Sequence, residues 1–198
     1  GTGKSTVALY RVRAVLDALR RANVKHPRVL FTTYTHALVA YSRQLLTSLL
    51  GADAARVEVC TADRVAIEVL KAGGEDPTVL SDAADLRRAL SDAIAHTTFE
   101  GSKVQQRAQK LAIERLSHDW LLDEIGSVIE GRRLATLYDY LGAERPGRLV
   151  ALNGTQRRAL WTVRQTLVAA LAQRKVMTWA QVRARAATPK VFSARRSA

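Results

Sequence analysis

The sequence predicts an α/β fold in which a parallel sheet is joined to a mainly helical second part. Short β-branched runs alternate with helical runs over residues 1–74, which is the element order of a parallel sheet with crossover helices. Beyond residue 74, apolar residues recur only at helical spacing. The chain also opens with the glycine-rich stretch Gly1–Thr6, directly before a helical pattern.

The first part of the chain, residues 1–74, contains the elements of the predicted sheet. Valine and leucine recur at helical spacing after the glycine-rich stretch, so a helix is predicted from Ser5 to about Ala22. We predict strands at 28–33 and 56–60 and helices at 36–50 and 61–71. A further strand is expected before residue 1, because a glycine-rich loop that leads into a helix normally follows a strand in parallel α/β folds.

Residues 75–187 are predicted to form a helical, basic insertion subdomain. Its tryptophans, Trp120, Trp161 and Trp179, are expected to anchor the core. Residues 188–198 show no periodicity and are predicted to be a disordered tail. The predicted helices span 82–97, 103–118, 119–130, 133–141, 154–175 and 179–187.

Charge and composition restrict the possible partners. The formal net charge is +13, and residues 101–198 carry 18 Lys and Arg against 7 Asp and Glu. A basic half of this kind suits a polyanion such as nucleic acid, although solvated basic faces are the alternative. Cys60 is the only cysteine, which excludes a disulfide within the chain and Cys-based metal sites. No apolar run approaches a membrane span, so we expect a cytoplasmic protein without a membrane partner.

The opening stretch matches the closing half of a phosphate-binding loop, G-x-x-x-x-G-K-[ST]. In such loops, glycines let backbone N–H groups surround phosphate oxygens at the N-terminus of a helix. Lys4 would reach the β- and γ-phosphates, and the Ser5 hydroxyl would bind Mg²⁺. The residues predicted to bind ATP are Gly1, Thr2, Gly3, Lys4, Ser5 and Thr6. This favours a partial P-loop NTPase (RecA-like) sheet, and a chance Gly-Lys-Ser at a helix start is the alternative.

Hydroxyl and aromatic side chains follow both predicted strands of the first part. Thr33, Tyr34 and Thr35 come after one strand, and Thr61 comes after the next. Ligands bind at this edge of open α/β sheets. The threonines could donate to nucleic-acid phosphates and Tyr34 could stack on an unpaired base. The alternative is that the threonines only cap the following helices.

These segments resemble the UvrD/Rep-like superfamily 1 DNA helicases. The family's motif Ia, T-[FY]-T-x, is matched by Thr33–His36, and its motif Ib, T-x-[HD]-[RS], by Thr61–Arg64. The helical part resembles the inserted subdomain of bacterial members, and the likeness covers about residues 1–187. Its matching segments are Trp120–Ile125, Val128–Gly131, Tyr140–Leu141, Arg145–Arg148, Gln156–Trp161 and Thr178–Trp179.

The resemblance implies an ATP-driven motor that translocates on single-stranded DNA or at a single/double-strand junction. Lys4 would be the catalytic lysine, with ATP and Mg²⁺ as cofactors, and Thr33, Tyr34, Thr35 and Thr61 would contact DNA. Hydrolysis in such motors also needs a carboxylate pair on a later strand and arginines from a second motor domain. Neither is found in the sequence, so we expect a helicase fragment with little ATPase activity of its own.

Two other functions remain open. In a P-loop ATPase or kinase of another family, Asp123 and Glu124 would follow a strand and act on Mg²⁺. Because the helical period continues through them, we expect both to be exposed carboxylates of a helix instead. The third possibility is a non-catalytic basic nucleic-acid-binding module built on residues 101–198. Its phosphate contacts would be the arginine pairs 132–133, 157–158 and 183/185.

Overall fold

A computed structural model describes residues 3–148 and 150–188, apart from the side chain of Ser5. The fold combines helices with short parallel strands, which confirms the predicted mixture of helix and parallel sheet. The strands are β1 (Val29–Thr33), β2 (Val57–Thr61), β3 (Thr78–Val79) and β4 (Val176–Met177). The α-helices are α1 (Lys4–Arg21), α2 (His36–Leu50), α3 (Ala62–Ala72), α4 (Ala83–His96), α5 (Lys103–Glu114), α6 (His118–Asp123), α7 (Leu137–Gly142), α8 (Gly154–Gln173) and α9 (Trp179–Ala186).

The chain forms two compact units, residues 1–65 and residues 66–198. They are termed the N-terminal unit and the helical unit below. Helix α3 spans the division, while the division predicted from the sequence lies at the glycine pair that ends this helix. The domain bounds 1–74, 75–187 and 188–198 stay predictions. Of the predicted tail, residues 189–198 lie outside the described part of the chain.

The N-terminal unit is built on a two-stranded parallel sheet. Strands β1 and β2 pair in register over five residues, from Val29 opposite Val57 to Thr33 opposite Thr61. Helices α1 and α2 contribute apolar side chains to a small buried cluster with β2. Its buried members are Leu9, Val12, Leu16, Leu46 and Val59.

The helical unit has the larger core, formed mainly by α4, α8 and the segment from α6 to α7. Trp161 is buried in this core, and Trp120 packs against it partly buried, as predicted for core anchors. Strands β3 and β4 form a two-residue parallel ladder that the sequence analysis did not predict. So short a ladder leaves no periodicity for a sequence pattern to detect.

The region predicted as helices 119–130 and 133–141 differs from expectation. The first becomes α6 followed by a π-helix, Glu124–Glu130. Gly131 follows it as the C-cap, and a β-carbon there would lie 2.7 Å from the Ser127 carbonyl oxygen, so this position favours glycine. Arg133 then adopts a left-handed conformation (φ 55°), which cannot continue a helix. Helix α7 therefore begins only at Leu137, capped by the Thr136 hydroxyl.

Candidate nucleotide and nucleic-acid site

The N-terminus of α1 is the position at which the sequence predicts a phosphate-binding loop. Gly3 precedes the helix with φ 65°, a left-handed conformation that favours glycine. The first turn of α1 contains no acidic residue, and no side chain caps it. Its backbone N–H groups and the positive end of an 18-residue helix dipole are therefore left for a ligand. Lys4 and Thr6 in this turn are exposed.

Part of the predicted nucleotide site lies outside the described residues. Gly1 and Thr2 are not described, and neither is the side chain of Ser5, to which Mg²⁺ was assigned. The described residues contain no group of three or more His, Cys, Asp or Glu side chains able to hold a metal ion. Magnesium at this position would therefore rest on the ligand's phosphates and on the Ser5 hydroxyl.

Parallel pairing brings the two predicted strand-end motifs together. Thr33 and Thr61, which are 28 positions apart in sequence, are paired in the β1–β2 ladder at the carboxyl ends of both strands. They differ in access, because Thr61 is only 7% exposed while Thr33 is half-buried. Thr61 also accepts a hydrogen bond from the Arg64 N–H at 3.2 Å. Of the two, Thr33 is the better placed to touch a ligand.

The threonines of the first motif also have local structural roles. Thr35 is the N-cap of α2, and its hydroxyl oxygen accepts from the Leu38 N–H at 3.2 Å. The Thr33 hydroxyl donates to the Thr35 carbonyl oxygen at 3.1 Å. Without a ligand, these two hydroxyls therefore make local hydrogen bonds at the start of α2, as the capping alternative predicts for Thr35. Thr35 remains exposed, and its hydroxyl proton is not used by the cap.

A groove of about 310 Å³ extends from Lys4 to the end of β1, where Thr33 and Tyr34 lie. Lys4, Thr33 and Tyr34 all line it, and it is termed the Lys4 groove below. Tyr34 is 86% exposed, so its ring is not used by the core and is open to a planar ligand. The volume of the Lys4 groove is at the lower end of the range typical of ligand pockets, about 300–1,000 Å³.

The sequence analysis missed part of this groove. Leu38, Tyr41 and Ser42 of α2 also line it. Leu38 and Tyr41 contribute to the helical spacing that predicts α2, and both are exposed. Their spacing reveals a helix face, but nothing in that spacing says whether the face meets a core or a groove.

The expectation that Asp123 and Glu124 are both exposed is wrong for Glu124. The Glu124 side chain is fully buried and accepts two hydrogen bonds from the Arg145 guanidinium, at 2.6 and 2.9 Å. The Tyr140 hydroxyl donates to the same carboxylate at 3.0 Å. Asp123 is the exposed member, and it pairs with Arg148 and accepts from the Ser127 hydroxyl. The term Glu124 cluster is used below for Asp123, Glu124, Tyr140, Arg145 and Arg148.

Electrostatics in the Glu124 cluster follow from this geometry. Burial, and then the neighbouring Glu124 carboxylate, raise the pKa of Tyr140, so it remains a hydrogen-bond donor. The pKa of Asp123 is lowered by the Ser127 hydroxyl and then by Arg148. Residues 120–124 lie on helices rather than on a strand, and Glu124 already has its charge partner. This cluster holds α6, α7 and the loop at 143–148 together.

Several arginines that could have served a nucleic-acid surface are used inside the helical unit. Arg157 donates to the carbonyl oxygens of Tyr140, Leu141 and Ala143, which lie at the end of α7. Arg164 donates twice to Glu130 and lies 5.1 Å from the Trp161 ring centroid. Arg158, beside Arg157, is exposed. The arginine pairs therefore do not act as uniform solvated cations.

Comparisons of the chain with protein-family models, with curated proteins and with solved structures find no match. Within the described residues, no helix combines the length and the apolar character required to cross a membrane. Functional assignment therefore depends on the residues of the site itself.

Proposed function

We propose that this chain is part of a UvrD/Rep-like, P-loop (RecA-like) DNA helicase that binds ATP–Mg²⁺ and single-stranded DNA. In the parent protein, ATP hydrolysis would drive translocation along the strand and unwinding of the duplex. The observation that carries the proposal is the Lys4 groove, where Lys4, Thr33 and Tyr34 line one space. A phosphate-binding element and a base-stacking element are thereby adjacent.

The nucleotide part of the proposal rests on Gly3, Lys4 and the start of α1. A left-handed glycine, an uncapped helix N-terminus and an exposed lysine are the three features that phosphate recognition needs. Lys4 would neutralise the terminal phosphates, and Ser5 would complete the Mg²⁺ ligands. None of the four described strands ends in a pair of carboxylates. The proposal for these residues is therefore ATP binding, with hydrolysis assigned to the parent protein.

The DNA part of the proposal rests on the first strand-end motif. Tyr34 offers an exposed ring for base stacking, and Thr33 and Thr35 offer hydroxyl groups to the sugar–phosphate backbone. Thr61 is buried and its hydroxyl accepts from the Arg64 N–H, so we assign it mainly to capping the start of α3. A junction of single- and double-stranded DNA would present both an unstacked base and a continuous phosphate chain to this edge.

Titration with a fluorescent ATP analogue and Mg²⁺ tests the nucleotide half. Lys4→Ala should weaken binding by about tenfold or more, because it removes a charge-assisted contact to phosphate. Lys25→Ala is the matched control, since Lys25 is an exposed lysine of the same unit that does not line the Lys4 groove. Equal loss in both variants would reject a specific phosphate site.

Fluorescence anisotropy with a labelled single-stranded oligonucleotide tests the DNA half. Tyr34→Ala should weaken binding by about fivefold or more through lost stacking. Tyr10→Ala should have no effect, because Tyr10 is also exposed but lies outside the groove. Binding should also fall steeply between low and moderate salt. A non-catalytic basic module would instead bind DNA normally in both Tyr34→Ala and Lys4→Ala.

A further inference from the structure

The second feature that can bind a partner is a cleft of about 520 Å³ within the helical unit. It lies among the turn after the π-helix, α8, strand β4 and α9, and it is termed the Arg133 cleft below. Its floor is aliphatic, from Leu134, Val168, Val176 and Met177. The Arg133 cleft has no role in the function proposed above, and it shares no lining residue with the Lys4 groove.

The rim of the Arg133 cleft is positively charged. Three arginines, Arg133, Arg164 and Arg185, line the cleft together with a single acidic residue, Glu130. Arg164 and Glu130 neutralise each other through hydrogen bonds of 2.8 and 2.6 Å. Arg185 is more than half exposed and pairs with Glu75, which does not line the cleft. The unpaired positive charge at the mouth therefore comes from Arg133, since Arg185 is already in an ion pair.

Arg133 is the residue most available to a ligand. Its guanidinium donates once, to the Ala187 carbonyl oxygen at 2.9 Å, and it forms no ion pair with any described residue. A guanidinium has five N–H donors, so most of its hydrogen-bonding capacity is free. Its left-handed backbone, φ 55°, belongs to the turn that ends the π-helix, where the Leu134 N–H donates to the Ile129 carbonyl oxygen.

We propose that the Arg133 cleft binds an acidic, apolar polypeptide segment of a partner protein. A carboxylate of the segment would pair with Arg133 at the rim, where a bidentate contact is possible, while Arg185 keeps its ion pair with Glu75. Its aliphatic side chains would occupy the floor of Leu134, Val168, Val176 and Met177. Gln181 also lines the cleft. Its Oε1 accepts from the Thr178 N–H, so its amide N–H groups would donate to backbone carbonyl oxygens of the segment.

The composition of the cleft favours a peptide over nucleic acid. Single-stranded nucleic acid is held by aromatic platforms combined with cations. The described residues that line this cleft include no aromatic ring, and its floor is aliphatic with one methionine. Such a floor matches leucine-like side chains, and Met adapts to more than one shape of them. The charge alone would suit either ligand, whereas the floor suits only the peptide.

The probe is a short fluorescein-labelled peptide of alternating leucine and acidic residues, Leu-Glu-Leu-Asp-Leu-Glu-Leu-Asp. Anisotropy is measured with the full chain and with Arg133→Gly. Glycine accepts φ 55° without strain, so this variant should fold at least as well while losing the guanidinium. We expect the dissociation constant of the peptide to rise about tenfold.

The matched control is Lys175→Gly. Lys175 also has a left-handed backbone, φ 54°, and carries one positive charge, but it does not line the cleft. Its variant should bind the peptide within about twofold of the parent chain, because no direct contact is removed. A second probe with serine in place of leucine should bind much more weakly, because the aliphatic floor gains nothing from it.

Four results would overturn the proposal. The first is failure of the leucine peptide to bind a chain shown by circular dichroism to be folded. The second is equal binding of the serine peptide, or equal loss in Lys175→Gly, which would indicate charge attraction alone. The third is single-stranded DNA that displaces the peptide and itself depends on Arg133. The fourth is self-association by light scattering that Arg133→Gly abolishes, which would make the cleft an interface between copies. None of these results depends on nucleotide binding at Lys4.

Discussion

The two units of the chain differ in how many apolar side chains they bury in a core of their own. In the helical unit, long side chains such as Leu90, Ile113 and Leu160 are fully buried. In the N-terminal unit, Val7, Tyr10, Tyr34 and Tyr41 are each more than half exposed. The helical unit therefore has the larger core, although Val104 and Tyr138 are exposed in it, and the N-terminal unit exposes Tyr34 and Tyr41, which line the Lys4 groove.

Helix starts also differ along the chain, although α2 of the N-terminal unit is capped by the Thr35 hydroxyl. Helices α5, α7, α8 and α9 of the helical unit each begin with a capping box, in which two side chains satisfy backbone donors. Helix α1 of the N-terminal unit begins with no side-chain cap. Unsatisfied donors and exposed rings cost stability where they remain, and they are also what phosphate and bases bind. The comparison thus separates residues that maintain the fold from residues that we propose to recognise ligands.

The largest expected effect is on the Glu124 cluster of the helical unit. Glu124→Ala leaves the Arg145 guanidinium and the Tyr140 hydroxyl buried without their shared carboxylate. Loss of one partner of a buried ion pair costs about 3–5 kcal/mol of unfolding free energy. Urea unfolding followed by tryptophan fluorescence measures it, because Trp120, Trp161 and Trp179 all lie in this unit.

Glu114→Ala is the control for that measurement. Glu114 is a half-exposed acid of α5 whose distance to the Lys110 ammonium is 3.9 Å. Exposed pairs of this kind contribute little, so the midpoint should barely move. A Glu124→Ala variant as stable as Glu114→Ala would mean that the buried cluster does not support the helical unit.

The next effect compares two positions of α1 in the N-terminal unit. Leu16 is 1% exposed and Val7 is 69% exposed on the same helix. Leu16→Ala should cost about 2–5 kcal/mol through lost burial and a cavity, while Val7→Ala should change little. Urea unfolding followed by circular dichroism measures both. Similar costs at the two positions would show that the outer face of α1 is covered in solution.

A smaller effect is expected at the capping boxes of the helical unit. The Thr136 hydroxyl accepts from the Asp139 N–H at 3.1 Å and caps α7. Thr136→Ala should therefore lower the unfolding free energy by about 1 kcal/mol. Thr155→Ala is the control, since exposed Thr155 makes no hydrogen bond through its side chain among the described residues. Thermal unfolding of the two variants measures the difference, and equal melting temperatures would argue against the capping box.

The smallest effect is a dependence on pH at the edge of the Glu124 cluster. The Ser127 hydroxyl and Arg148 lower the pKa of Asp123 below its ordinary value of 3.8. Asp123 therefore stabilises the folded state above the pKa of the unfolded chain, and this contribution is lost as the pH falls through the lowered value. The stability difference between the parent chain and Asp123→Asn should be constant above about pH 5 and shrink below about pH 4. A difference that does not change with pH would contradict the lowered pKa.

Local sequence rules predicted the elements better than the contacts between them. Short β-branched runs predicted β1 and β2 and placed Thr33 and Thr61 at strand ends, while the pairing of these two threonines came from the structure. The buried Glu124–Arg145 pair joins positions 21 apart, and no local pattern distinguishes it from a pair of surface charges. Arg133 was expected within a helix because nothing in its own side chain predicts a left-handed backbone. The walls of the Lys4 groove supplied by α2 were missed for the same reason, since they depend on packing.

Hydrogen–deuterium exchange of the full chain, with and without an ATP analogue and Mg²⁺, tests the central claim most directly. If the Lys4 groove binds as proposed, the ATP analogue should slow exchange at the backbone amides of the first turn of α1. Addition of a single-stranded oligonucleotide should slow exchange at residues 33–42. Amides of the Glu124 cluster should exchange at an unchanged rate in both cases. Protection confined to residues 101–188 would contradict the account, because the ligands would then bind the helical unit and leave the Lys4 groove without a function.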